Sequence, residues 1–221
     1  MKQSTAWRKF LLAGLATAAT AASALTPVIP GWDESINGDL SNSGLSPTFV
    51  TLANGATQVL GTTGRAVAGG AVDRDYFTFT IPAGFMLSAL TLLPGSTSLT
   101  PSSGPGGSSF IGLQLGNQLT VNPGPPNPAD AAGLLGYWLY SPANIGANLL
   151  PLMATVGNGS SGFVPPLGAG SYAAWVQDTG VGSASYGFEF TLAAVPEPGA
   201  AVLLTGGLLA LAWRRRAAVR G

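Results

Sequence analysis

Residues 75–84 read DYFTFTIPAG. Phe77, Phe79 and Ile81 fall on one side of a period of two and Tyr76, Thr78 and Thr80 on the other, the spacing of a half-buried strand. Pro82-Ala83-Gly84 then turns the chain, and residues 85–93 predict a second, more completely buried strand. The pattern returns near the end. Tyr172, Ala174 and Val176 alternate with Ala173, Trp175 and Gln177, which puts Trp175 on the polar side. After a turn at Asp178-Thr179-Gly180, Tyr186, Phe188, Phe190 and Leu192 share a face with Glu189 and Thr191 outward, predicting a hairpin. No window carries a 3.6-residue apolar period over four turns, so the chain is expected to be all-β, an antiparallel β-sandwich.

Between these pairs, residues 110–115, 118–121 and 134–140 predict further strands. They are separated by long Gly/Pro/Ser loops at 94–109 and 122–133. A short helix is expected at 142–154 with Ser141 as its cap, although Pro151 works against it. The chain has no cysteine, so no disulfide supports the fold and the core must do so. It has no histidine either, which removes the commonest general base, serine partner and transition-metal ligand. Lysine occurs only at positions 2 and 9, so the body cannot form a Ser-Lys pair. A non-enzymatic body is expected. The remote alternative is a carboxylate-based hydrolase on Asp73 and Asp75, for which nothing supplies a complementary acid, oxyanion donor or cleft.

The ends differ from the body. Lys2, Arg8 and Lys9 precede an apolar run at 10–19 and a small-residue site at Ala22-Ser23-Ala24, which predicts a signal peptide over 1–24, cleavage by signal peptidase after Ala24, and export. The domain is then expected over 25–194 and a tail over 195–221. Within that tail Val195-Pro196-Glu197-Pro198 precedes an apolar segment at 199–213 and Arg214, Arg215 and Arg216. As a helix this segment reaches only about 22 Å, marginal for a permanent anchor. The arginines hold it with Pro196-Glu197-Pro198 on the outer side. Seven of the nine basic residues lie in the two ends, leaving Arg65 and Arg74 against eight acidic residues in the body, a net charge of −6. A body this acidic excludes nucleic acid as a partner.

The order of Pro196-Glu197-Pro198, apolar segment and arginine cluster resembles the PEP-CTERM sorting signal. The resemblance implies recognition by an exosortase, a membrane-embedded cysteine transpeptidase of Gram-negative bacteria often encoded beside exopolysaccharide genes. The tail would act as a handle, held in the membrane until it is cut. The protein would end in the cell envelope or extracellular matrix, associated with exopolysaccharide. A second resemblance lies in the body. Residues 73–84, DRDYFTFTIPAG, and 167–172, LGAGSY, with Val176 are similar to the bacterial pre-peptidase C-terminal domain. That implies a jelly-roll-like sandwich, with residues 94–166 as a loop-rich insertion.

Two constellations stand out as candidate sites. Asp33, Glu34, Asn37 and Asp39 form one oxygen-rich cluster and Asp73 and Asp75 a second. Hard cations such as Ca²⁺ take six to eight oxygen ligands, and some members of the resembling family bind calcium with these two segments. The alternative is two independent solvated acidic turns, with no cofactor required. Trp138, Tyr140 and Trp175 form the second constellation: exposed on a sandwich face, they would stack on sugar rings and make a carbohydrate-binding module; otherwise they pack.

Overall fold

The computed structural model describes residues 29–99, 109–122, 131–155, 157, 159–196 and 207. The expected signal peptide, and all of the C-terminal apolar helix but Gly207, lie outside these residues. Among the described residues no helix is long and apolar enough to cross a membrane.

Among the described residues nine strands form two sheets. They are β1 (Ile29–Asp33), β2 (Thr48–Phe49), β3 (Gly55–Arg65), β4 (Arg74–Ile81), β5 (Phe85–Leu92), β6 (Ser109–Leu115), β7 (Gly136–Tyr140), β8 (Gly170–Asp178) and β9 (Gly182–Ala194). One sheet runs β1-β3-β9-β5 and the other β2-β4-β8-β6-β7. The apolar rows fill the space between them. Phe79 of β4 meets Phe190 of β9 edge to face at 5.2 Å, and Phe77 meets the same ring at 5.9 Å. The chain is therefore an all-β sandwich, as its alternation requires. Its sheets are mixed rather than purely antiparallel, because the edge strands β1 and β2 pair in parallel with β3 and β4.

The hairpin expected of the last two strands is corrected, and the first turn behaves in the same way. β4 and β5 lie in different sheets, and so do β8 and β9. Each turn carries the chain across the core, so consecutive strands face one another rather than sharing a ladder. The 178–182 crossing is held by the buried Asp178 carboxylate, which accepts from Gly180 N at 2.7 Å, Leu99 N at 3.0 Å and Ser109 Oγ at 2.7 Å. Alternation marks the inward face of each strand but not its ladder partner. β5 is an edge strand, half-buried with a bulge at Leu87–Ala89, rather than the more deeply buried strand expected.

Residues 94–166, expected as an insertion, supply β6 and β7 to the second sheet and Leu149, Leu150 and Met153 to the core. Residues 118–121 form no strand; Gln114 and Thr120 instead exchange two hydrogen bonds, at 2.8 and 3.0 Å. The helix expected at 142–154 is two separate turns, Pro142–Asn144 and α2 (Leu150–Met153), parted at Gly146 with φ 81°. Ser141 does cap the first, accepting from Ala143 N at 3.3 Å.

The outer face of the five-stranded sheet holds a second apolar cluster. Tyr76 stacks on Trp175 there, Phe110 packs tilted against the same indole, and Leu119, Ala131 and Leu134 cover them. Central strand β8 is consequently buried on both faces, and Thr78, expected outward, is buried with its hydroxyl donating to Tyr172 O at 3.0 Å.

Candidate metal centre

At the end of the sandwich where β4 begins, the first turn after β1 folds over the rim of the core. Asp33 caps α1 (Glu34–Asn37), accepting from Ser35 N at 2.9 Å and Ser35 Oγ at 2.6 Å. Asn37 Oδ1 closes the same turn by accepting from Asp33 N at 2.9 Å. Those two oxygens serve the turn itself. Glu34, freed to point inward, accepts from Thr62 N at 2.8 Å and Leu40 N at 3.2 Å, which fixes α1 to β3.

Asp75 continues the inward row of Phe77, Phe79 and Ile81, so its carboxylate enters the sandwich interior and is fully buried. One carboxylate oxygen from each of Glu34, Asp39 and Asp75 lies within 4.8 Å of the others. Six residues singled out in the sequence thus divide. Glu34, Asp39 and Asp75 come together. Asp73 sits beside them, with its pKa raised by burial and by the Asp39 charge, while Asp33 and Asn37 are committed to the turn.

Both oxygens of Asp75 lack a hydrogen-bond partner. Burial, and after it the Glu34 charge, pushes its pKa up to about 9. Burial also raises Glu34, against the two backbone amides that favour its ionised form. Tyr186, on the inward row of β9, lies close enough to lower Asp75's pKa somewhat, yet its hydroxyl makes no well-formed hydrogen bond. An ionised carboxylate in such a place is costly unless a proton or cation matches it. Three converging carboxylates with one unpartnered fit a hard, oxygen-seeking ion by their donor chemistry.

Two residues of this site escape a reading of the sequence. Tyr186 carries the polar atom at the end of an otherwise carbon-only row, the one signal that could have found it. Gly61 gives no signal: a Cβ there would strike Tyr186 Oη and come within 2.8 Å of the Glu34 carboxyl carbon, so the site needs its bare backbone. Gly61→Ala should displace Glu34 and weaken any response of the melting temperature to calcium, measured by thermal unfolding with and without chelator.

The expected stacking face is not formed. Trp175 is fully buried between Tyr76 at 5.9 Å and Phe110 at 4.7 Å, and Tyr140 is buried against Phe188 at 5.3 Å. Trp138, partly buried, packs on the main core. The polar side expected for Trp175 is roofed by the second cluster, so alternation there separates two cores rather than core from water.

At the other end of the sandwich β9 runs to Ala194, and Val195 N donates to Gly84 O at 2.8 Å. Pro196 follows at once, while Glu197, Pro198 and Arg214–Arg216 lie outside the described residues, as do Ala22 and Ala24. No curated protein and no solved structure matches the chain. Residues 194–216 match the PEP-CTERM protein-sorting motif, so the chain carries the sorting signal of an exported, exosortase-processed protein, directed to the cell envelope.

Proposed function

We propose that this is a non-enzymatic β-sandwich protein of the cell surface or extracellular matrix, delivered by exosortase and associated there with exopolysaccharide. The match at 194–216 carries the reading. Signal peptidase removes residues 1–24, and the apolar segment at 199–213 holds the chain in the membrane until exosortase cuts beside Glu197. The body is a jelly-roll-like relative of the pre-peptidase C-terminal domain. Support for that kinship is the sandwich itself and the motif at 73–84, which runs through β4 into the turn before β5. The absence of histidine, cysteine and body lysine supports a binding or structural role over catalysis.

Calcium belongs to this reading. Glu34, Asp39 and Asp75 would hold it, with Asp73 at the rim, and it would neutralise their charge and tie α1 to the start of β4. The observation behind it is the buried, unpartnered Asp75 carboxylate.

Mass spectrometry of the mature protein tests the delivery. The expected product begins near Leu25 and lacks everything after about Glu197, and in cells without exosortase the tail is retained. Recovery of an intact Arg214–Arg216 segment from surface protein of normal cells would overturn the reading. Co-sedimentation with the secreted polysaccharide, compared between calcium and chelator, tests the association.

A further inference from the structure

The sandwich has two unlike poles. At one end lie the acidic turn, Asp73, Asp75, Arg65, Arg74 and Asp178. The register fixes what lies at the other: Ile81 opposite Gly170, Phe85 opposite Ala194, Leu115 opposite Tyr172, Gly55 opposite Leu192, and a bridge from Leu87 to Leu167. The segments meeting there, 51–57, 79–89, 111–121, 163–172 and 191–196, contain no Asp, Glu, Lys or Arg. Pro82, Ala83 and Gly84 are exposed at its tip, as are Leu115 and Val195 at 62% and 46%.

The tail leaves from this neutral pole without a spacer. Val195 is tied to Gly84 by a 2.8 Å hydrogen bond, and the apolar segment begins four residues later, at Gly199. Four residues span at most about 14 Å when fully extended. The headgroup layer alone takes roughly 5–8 Å on each side of the hydrocarbon. A domain tethered so closely stays within roughly 6–9 Å of the headgroup surface, and only one of its ends suits the contact. The acidic end would be repelled by anionic headgroups, whereas the neutral end pays no such penalty.

We infer that, before the cut, the sandwich stands on the lipid headgroup layer through this uncharged pole, with its acidic pole farthest from the membrane. The inference rests on the reading of 199–213 as a membrane-held tail. β9, 13 residues long, separates the two poles by about 40 Å at roughly 3.3 Å per residue. Standing upright, the domain holds its two ends at different distances from lipid, whereas lying on its side it would hold them at equal ones.

The chain has no cysteine, so single spin labels can be placed without background. Ala83→Cys and Asn117→Cys mark the neutral pole, and Ala68→Cys marks the β3–β4 loop at the acidic pole; all three positions are exposed. The full chain, purified uncut from cells lacking exosortase, is reconstituted into phosphatidylcholine vesicles with a minor fraction of phosphatidylglycerol and a nickel-chelating lipid. Flotation with the vesicles and strong relaxation by nickel at 83 and 117, with none at 68, is the expected result. Flotation with equal relaxation at both poles overturns the inference and leaves the membrane-held tail standing. Failure to float overturns both.

Discussion

In chelator, the protein should lose stability steadily as pH rises from about 4 to about 9, and calcium should restore part of that loss. The sign follows from Asp75. Its carboxyl titrates near 9 in the fold against 3.8 when free, so the folded state binds a proton more tightly than the unfolded chain. Stability from that proton is complete below about pH 4 and is withdrawn as pH climbs through the window. The withdrawal is about 1.4 kcal/mol per pH unit at its steepest, less if water reaches the site. Glu34, raised by burial in the same way, acts in the same direction. A cation replaces the proton. At 100 times its dissociation constant calcium should add about 2.7 kcal/mol, roughly 5–10 °C in a domain of this size. The calcium shift should therefore be small at pH 4.5 and large at pH 8, with magnesium less effective because it holds its waters. Asp75→Asn should raise the melting temperature in chelator and flatten both responses. Coincident melting curves in calcium and chelator at matched ionic strength, from pH 4.5 to 8, would eliminate the site.

The second large effect concerns the two cores. Phe188→Ala removes a fully buried ring that meets Tyr140 at 5.3 Å and Tyr186 at 5.4 Å, and should cost about 3–5 kcal/mol. Trp175→Ala, on the opposite side of the five-stranded sheet, should cost a similar amount, because the second cluster encloses it as completely. Thr78→Ala should cost about 1 kcal/mol, since it leaves the hydroxyl's partner, Tyr172 O, without its donor. Thr80→Ala, exposed at the next outward position, should cost under about 0.5 kcal/mol. Urea denaturation measures all four, with the midpoint shifting at constant slope. If Trp175→Ala resembled Thr80→Ala, the outer face would be open to solvent and the second cluster would be wrong.

How far each of these results could be read from the sequence depends on the range of the interaction. Period-two alternation is local, so the inward row of Phe77, Phe79 and Ile81 and that of Tyr186, Phe188, Phe190 and Leu192 are legible from neighbouring residues. The Ser141 cap is equally local, reaching only to residue 144. The sorting tail is read in order along the chain and matches at 194–216 without reference to the fold. Pairing is another matter. That β8 lies between β4 and β6 rather than beside β9 depends on contacts tens of residues away, to which alternation is blind. The roof over Trp175 comes from a loop whose polar, glycine- and proline-rich sequence reads as solvent-exposed. The convergence of Glu34 and Asp75 requires α1 to close over β3 and Gly61 to leave room, so six acidic or amide candidates became three. Local periodicity in the sequence determined which way each strand faces, while tertiary structure decided what faces it, because burial is shared between segments and no single segment encodes it.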